Sequence, residues 1–298
     1  MSDIEKTVSS MTARQDPSAR LGLVLEGGAM RGMFTCGVLD VFLENGITFD
    51  GASGISAGAV FGSNFKSRQI GRGVRYNKKY AGDPRYCSMK SLRKTGDLYN
   101  VDFCYNELPN KLDPFDREAF KENPLEFFVG ATDVDTGEPR YHKCFDGGDT
   151  DLLWLRASAS MPLVSRPVEV DGYRLLDGGV VDAIPYHFLV EQGYDRNVVV
   201  LTQPKGYRKK KTSFFLLFAL RKTPKIKEKM AKRSQMYNEE VAEIERLEEE
   251  GKIFVVRPPE SLGISRTESN PDELERVYQI GRAEALKHLE DIKKFLNK

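Results

Sequence analysis

Two strand–glycine turn–helix units stand back to back near the start of this chain, and they constrain its fold more than any other feature. In the first, "LGLVLEGG" carries an apolar strand into paired glycines. Met30, Phe34, Val38, Val41 and Phe42 then recur at helical spacing as far as Gly46, which is placed as a C′ residue. In the second, "GITFDGAS" reads as a short strand, Gly54 to Gly58 as a turn, and "AGAVFGSNFKSR" as a small-residue helix. Two successive units of this kind set their strands parallel in one sheet, so an α/β fold around a central, mainly parallel sheet is expected.

The later elements fit that frame. Residues 70–124, rich in Arg, Lys, Tyr and Asp with little periodicity, read as helices and loops outside the sheet. "LEFFVGATDV" predicts a buried strand, "DTGEP" a turn and "RYHKCF" a second strand. "DLLWLRASAS" predicts a helix ended by Met161-Pro162, because proline disfavours the α region for the residue before it. "RPVEV" and "YRLL" flank Asp171-Gly172, a two-residue hairpin signal, and "NVVVLTQP" and "KIFVVRPP" are further strands closed by proline. The C-terminal helix starts near Pro271, with an apolar stripe at Leu274, Val277, Ile280, Leu286 and Leu289. The chain therefore divides into a flexible arm over 1–19, a main domain over 20–204, a basic and apolar then acidic helical segment over 205–250, and a strand-and-helix extension over 251–298 that packs on the main domain.

Charge and cysteine usage narrow the function classes. Lys+Arg 45 against Asp+Glu 44 leaves a formal charge of +1, which argues against a dedicated nucleic-acid binder. Cys36, Cys87, Cys104 and Cys144 form no C-x-x-C pair, and the three histidines are far apart, so neither a zinc site nor any other metal or cofactor is expected. The first residues lack an apolar leader and no run approaches the roughly 18 apolar residues of a membrane span, which predicts a cytoplasmic protein with reduced thiols. The segment from Lys205 to Arg233 is strongly basic, with Glu228 its single acid, and "FFLLFAL" (214–220) lies in its middle. It reads either as an element resting on an anionic bilayer at the inner face of the membrane, or as a helix packed on the domain with a solvated basic face.

Three short blocks carry chemistry. "EGGAMRG", Glu26 to Gly32, feeds a strand through glycines into a helix, where free amides and the helix dipole suit a phosphate or an oxyanion. It lacks the G-x-G-x-x-G spacing and the Walker lysine, which weakens a nucleotide reading, and a tight structural turn is the alternative. "GISAG" matches G-x-S-x-G, so Ser56 is either a serine raised on a sharp turn or the N-cap of a small-residue helix. A base is required in the first case. His142, His187 and His288 each lack a catalytic sequence context, whereas "LLDGGVVDAIP" delivers Asp177 from an apolar strand into two glycines. A carboxylate in a dry pocket has its pKa raised and can act as general base towards a hydroxyl.

Taken together, "GGAMRG", "GISAG" and "DGG" resemble the patatin-like phospholipase family, in that family's order and spacing. "ATDVDTGE" (131–138) and "ASASMPLVSRP" (157–167) look like the same family, and the resemblance covers about Leu21 to Gln203. The tail from about Lys252 is similar to the extension of bacterial intracellular members. The resemblance implies a three-layer α/β/α fold and hydrolysis of fatty-acyl esters of phospholipids or other lipids by a Ser–Asp dyad through an acyl-enzyme. Carried over by position, Ser56 is the nucleophile and Asp177 the base; Gly27, Gly28 and Ala29 form the oxyanion turn with Arg31 beside it. Ala29 departs from the family's third glycine and is expected at negative φ, donating its N–H as glycine would. Two other readings remain: a catalytically weak lipid-binding or regulatory protein, and a histidine-dependent esterase.

Overall fold

A computed structural model describes residues 18–297; the expected arm lies outside the described residues up to position 17, and Ala19 is already buried. Strand β1 (Leu21–Leu25) passes through a 3₁₀ turn (Ala29–Arg31) into α1 (Gly32–Glu44), and β2 (Gly51–Ile55) runs directly into α2 (Ala57–Lys66). Outside the sheet follow α3 (Arg72–Tyr80), α4 (Met89–Thr95), a π-helical segment (Phe103–Leu112) and α5 (Arg117–Glu122). Next come β3 (Glu126–Asp133), β4 (Pro139–Cys144), α6 (Asp149–Ser158), the hairpin of β5 (Val168–Val170) and β6 (Tyr173–Asp177), α7 (Tyr186–Glu191) and β7 (Arg196–Val200). The chain finishes with α8 (Phe214–Ala219), α9 (Pro224–Glu249), β8 (Ile253–Val256), α10 (Pro271–Lys287) and α11 (Leu289–Leu296).

These strands form one sheet in the order β5-β6-β3-β2-β1-β7-β8, with β4 antiparallel on β3 and the central run from β3 to β8 parallel. Side chains alternate across it, as the pleat demands. Leu23, Leu25, Phe127, Val129, Val198 and Val200 enter one core with residues of α1, α2 and α10. Val24, Phe128 and Val199 enter a second core with residues of α7 and α9. Three layers, α/β/α, follow from the strands being apolar on both faces.

Strand β2 starts later than the apolar run "GITF" suggests, and its residues are Gly-Ala-Ser-Gly-Ile. The reason is space. A Cβ on Gly51 would lie 2.1 Å from the Tyr194 ring, and one on Gly54 would lie 2.7 Å from the Gly58 carbonyl oxygen where α2 turns back over the strand. Poor β-formers take this central position because nothing larger clears the returning helix.

The C-terminal helix also differs from expectation. It breaks at His288, and Leu286 is half exposed while Tyr278, Gly281 and Ala285 supply the buried face beside Leu274 and Val277. Gly281 packs against α1: its Cβ would meet the Phe34 carbonyl oxygen at 2.0 Å, and a Cβ on Gly37 would meet the Tyr278 carbonyl oxygen at 2.1 Å. Backbone-to-backbone contact of this kind leaves no room for a methyl group. Gly281→Ala is expected to destabilise the protein by about 1–3 kcal/mol, read as a lower denaturant midpoint, and an unchanged midpoint would show that the helices part freely.

One helix, α9, carries both the basic and the acidic halves of the 224–249 region. Its buried residues Ile226, Met230, Ser234, Tyr237, Val241, Ile244 and Leu247 keep a three-to-four spacing throughout, so the charge reversal lies on the exposed faces.

Candidate active site

Strand β3 brings the two predicted chemical groups together. β2 pairs with one edge of β3 up to Gly130, while β4 covers the other edge from Phe127 to Thr132. Strand β6, paired with Ala131, Thr132 and Asp133, therefore occupies the edge that β2 vacates, running in the opposite sense. Asp177, opposite Ala131, arrives just beyond Ile55, opposite Gly130, and so beside Ser56.

The Ser56 hydroxyl donates to Asp177 Oδ2 at 2.7 Å. Ser56 holds φ +54° and ψ −120°, a conformation that L-residues adopt at a cost of roughly 1–3 kcal/mol. Although it precedes α2, its side chain makes no capping hydrogen bond, so the N-cap alternative does not describe it. Gly58 permits this turn, since a Cβ there would lie 2.4 Å from the Leu25 carbonyl oxygen. The Ser56 amide donates to Ser158 Oγ at 2.8 Å, and Ser158 in turn donates to the Gly130 carbonyl at 2.6 Å, pinning the serine to β3.

Asp177 is buried and held at every polar atom. Its Oδ1 accepts from the Gly179 amide at 2.7 Å, its carbonyl accepts from Thr132 Oγ1 at 2.8 Å, and its amide donates to the Ser160 carbonyl at 2.8 Å. Burial raises its pKa above the usual carboxylate value; the Ser56 hydroxyl, the Arg233 charge and the Gly179 amide pull the other way. Arg233, on α9, donates through Nε to the Gly179 carbonyl.

The glycine turn lies alongside. A Cβ on Gly27 would sit 3.2 Å from Ser56 Cβ, which shows how closely the turn approaches the serine. Glu26, buried, clamps the turn: Oε2 accepts from the Thr202 amide at 2.6 Å and Oε1 from the Tyr237 hydroxyl at 2.7 Å. The Gly27 amide donates to the Ala183 carbonyl at 3.2 Å, so Gly27 shapes the turn without a free donor. Among the described residues, the Gly28 and Ala29 amides have no acceptor. Ala29 has φ +50°, which corrects the expectation of a negative value; the turn needs the left-handed region to aim its amides, and alanine tolerates it at a cost. Relief of about 1–2 kcal/mol of αL strain exceeds the ~0.4–1 kcal/mol that glycine's freedom in the unfolded chain takes back. Ala29→Gly is thus expected to raise the melting temperature, and a lowered one would contradict the strain argument.

The histidines lie elsewhere. His187 Nε2 is 2.8 Å from Glu243 on α9, His142 Nε2 is 2.8 Å from Asp151 and stacks on Trp154, and His288 lies beside Glu284 and Phe254. Among the described residues, none bonds to Ser56 or Asp177.

Ser56 and Ala29 open onto a cavity with about 870 Å³ of empty space including its mouth. Its lining includes Met30, Val60 and Phe61, and also Tyr76, Tyr86 and Leu108. The last three come from residues 70–124, where sequence periodicity offered no sign of a site. Ser158 and Ser160 fall in "ASASMPLVSRP" (157–167), where the sequence alone gives neither a role. Glu26 heads the glycine block, but its clamp by Thr202 and Tyr237 has no sequence signal, because their meeting depends on long-range packing.

The patatin-like phospholipase family profile matches residues 23–190, more than half of the chain. This chain belongs to the patatin-like phospholipase family. Residues 223–297 match a domain of unknown function (DUF6363). An uncharacterised protein of Escherichia coli K12, YjjU, is 30% identical over 203 residues, covering 66% of this chain and 56% of the relative. An uncharacterised NTE family protein of Mycobacterium tuberculosis H37Rv is 26% identical over 177 residues, 59% of this chain and 47% of its own length. The lysophospholipase nte1 of Aspergillus fumigatus is 29% identical over 189 residues, which are 61% of this patatin-like chain and 12% of the fungal one. The chain thus spans about half, or less, of the length of these relatives. The matched residues 23–190 hold Ser56, Asp177 and the glycine turn, whereas Thr202 and Tyr237, which clamp Glu26, lie beyond them.

Proposed function

We propose that this protein is a serine acyl hydrolase that cleaves fatty-acyl esters of phospholipids through Ser56 and Asp177. The observation that carries the reading is the 2.7 Å hydrogen bond from the Ser56 hydroxyl to a buried carboxylate, in the wall of a mainly apolar cavity. Asp177 Oδ2 takes the hydroxyl proton as Ser56 Oγ bonds to the ester carbonyl carbon, and the displaced electron pair on the carbonyl oxygen is met by the Gly28 and Ala29 amides. Collapse breaks the ester C–O bond, and the leaving alkoxide takes the proton from Asp177. Water then attacks the acyl-enzyme while Asp177 accepts its proton; collapse releases the fatty acid and returns that proton to Ser56 Oγ. Arg31 lies in the turn that supplies the two amides, and the relatives' family and the lysophospholipase name support a lipid ester as substrate. Comparing acyl-ester turnover by the wild type, Ser56→Ala, Asp177→Asn and His187→Ala tests the reading.

Substrate delivery follows from the 205–233 segment. Phe214 and Phe215 are 76% and 84% exposed, and Phe218 is exposed with them, while Leu217 and Leu220 anchor α8 beside Leu176 and Val180 next to Asp177. Lys210, Lys211, Arg221 and Lys222 flank these rings on the surface. Apolar residues left in solvent between cations suit an anionic lipid surface. Among the described residues no helix is long and apolar enough to cross a membrane, so the contact is peripheral in this reading.

A further inference from the structure

Four cations from four separate segments are gathered on the dyad's side of the glycine turn: Arg31 in that turn, Lys209 before α8, Arg233 on α9 and, exposed at the rim within range of the last two charges, Arg266 before α10. Among the described residues, no carboxylate oxygen lies within 4.0 Å of any of them, although most arginines elsewhere in the chain are paired. Arg31 Nε is buried without a hydrogen-bond partner. Lys209 Nζ lies 3.7 Å from the centre of the Tyr237 ring, whose hydroxyl bonds Glu26 at the head of the glycine turn. Arg233 reaches the Gly179 carbonyl, two residues past Asp177. None of the four lines the apolar cavity.

Burial and the neighbouring positive charges both act on Lys209 and Arg233. Burial, then the charges of Arg233, Arg31 and Arg266, push Lys209 down to about 7 against the pull of Glu26. Burial, with Arg266 and Arg31, likewise holds Arg233 below the guanidinium's ordinary value against the pull of Asp177. Three half-buried cations, with the exposed Arg266 at their rim, outnumber Glu26 and Asp177, the two carboxylates that pull on them, and so suit a further anion.

We infer that Arg31, Lys209, Arg233 and Arg266 form a binding site for the phosphate group of a lipid headgroup, which fixes the scissile ester over Ser56. It rests on the reading of Ser56 as the serine that receives the acyl group. Three guanidinium forks and an ammonium match a tetrahedral, multiply charged oxyanion better than a single carboxylate. Ser56 then lies between an apolar cavity for the acyl chain and a cationic site for the phosphate. Three of the four cations come from beyond residues 23–190, so the later part of the chain sets a selectivity that the family-matched part does not carry.

Two measurements on the full chain test this. In a Ser56→Ala background, inorganic phosphate is titrated calorimetrically, with and without Lys209→Met or Arg266→Gln added. Binding is expected in the parent and about tenfold weaker in each double variant. In the active protein, kcat/KM is measured for a lysophospholipid and for a monoacylglycerol with the same acyl chain. The ratio of the two is expected to fall about tenfold in Lys209→Met and in Arg266→Gln and to be largely restored in Lys209→Arg. An unchanged ratio with phosphate still bound would reduce the cluster to a free-phosphate site and overturn the headgroup assignment. No phosphate binding and an unchanged ratio would overturn the site itself. Phosphate binding without turnover of any ester would leave the anion site standing and remove the hydrolase reading instead.

Discussion

Ser56→Ala and Asp177→Asn are each expected to lower kcat/KM for acyl esters by a factor on the order of 10⁴ or more, with His187→Ala close to wild type. The size reflects groups that act as a unit, since removing either member of a nucleophile–base pair forfeits most of what both supply. The Asp177 carboxyl adds a signature in pH. Its pKa is raised by burial, so the ionised base is lost at a pH above the usual carboxylate range, and kcat/KM is expected to fall on the acid side through that raised value. Stability runs the opposite way. A carboxyl whose folded pKa exceeds its unfolded one favours folding below the unfolded pKa, and that contribution disappears as pH rises through the folded value. At neutral pH the ionised Asp177 therefore costs stability, and Asp177→Asn is expected to hold or raise the melting temperature while activity collapses. Full activity in Asp177→Asn, or its loss in His187→Ala alone, would overturn the dyad.

Replacing Phe214, Phe215 and Phe218 together by serine is expected to weaken binding to anionic vesicles by about 10²–10³-fold. A fully buried phenylalanine is worth roughly 1.5–3 kcal/mol, and partial insertion of three at an interface leaves on the order of 3–4 kcal/mol to lose. The exposed lysines and arginines around α8 add an attraction that salt screens, so binding should also fall between low and physiological ionic strength. Vesicle sedimentation across a range of anionic lipid content measures both effects. Equal binding by the triple variant would show that the three rings serve another purpose. Because no catalytic group is touched, hydrolysis of a short water-soluble ester should survive in this variant.

The main strands were legible wherever an apolar run ended at proline or glycine, as in β3, β7 and β8, and the Asp171-Gly172 hairpin appears where its turn residues place it. β2 was misplaced by several residues because apolar character marks burial, whereas steric room against α2 and Tyr194 decides which residues take the ladder. The left-handed Ala29 was equally hidden: its φ is imposed by the turn around it, and the side chain alone argues for the opposite sign. Ser56 and Asp177 were legible as motifs, since each depends on a local strand end. The cavity wall and the cationic cluster were not. Arg31 apart, the cations lie in a charge run or a loop, much of the wall comes from the aperiodic 70–124 region, and Lys209 turns inward from a stretch that otherwise reads as surface.

Ser56 and Asp177 are 121 positions apart along the chain, yet their separation is counted in single residues along β3. Strand β3 acts as a ruler, with β2 and β6 laid end to end against one edge. The intervening 70–124 region, which forms much of the cavity wall, can therefore lengthen, shorten or change shape without altering the distance between hydroxyl and carboxylate. The fold separates the part that must not vary from the part that shapes the cavity, and lets the second evolve at little risk to the first.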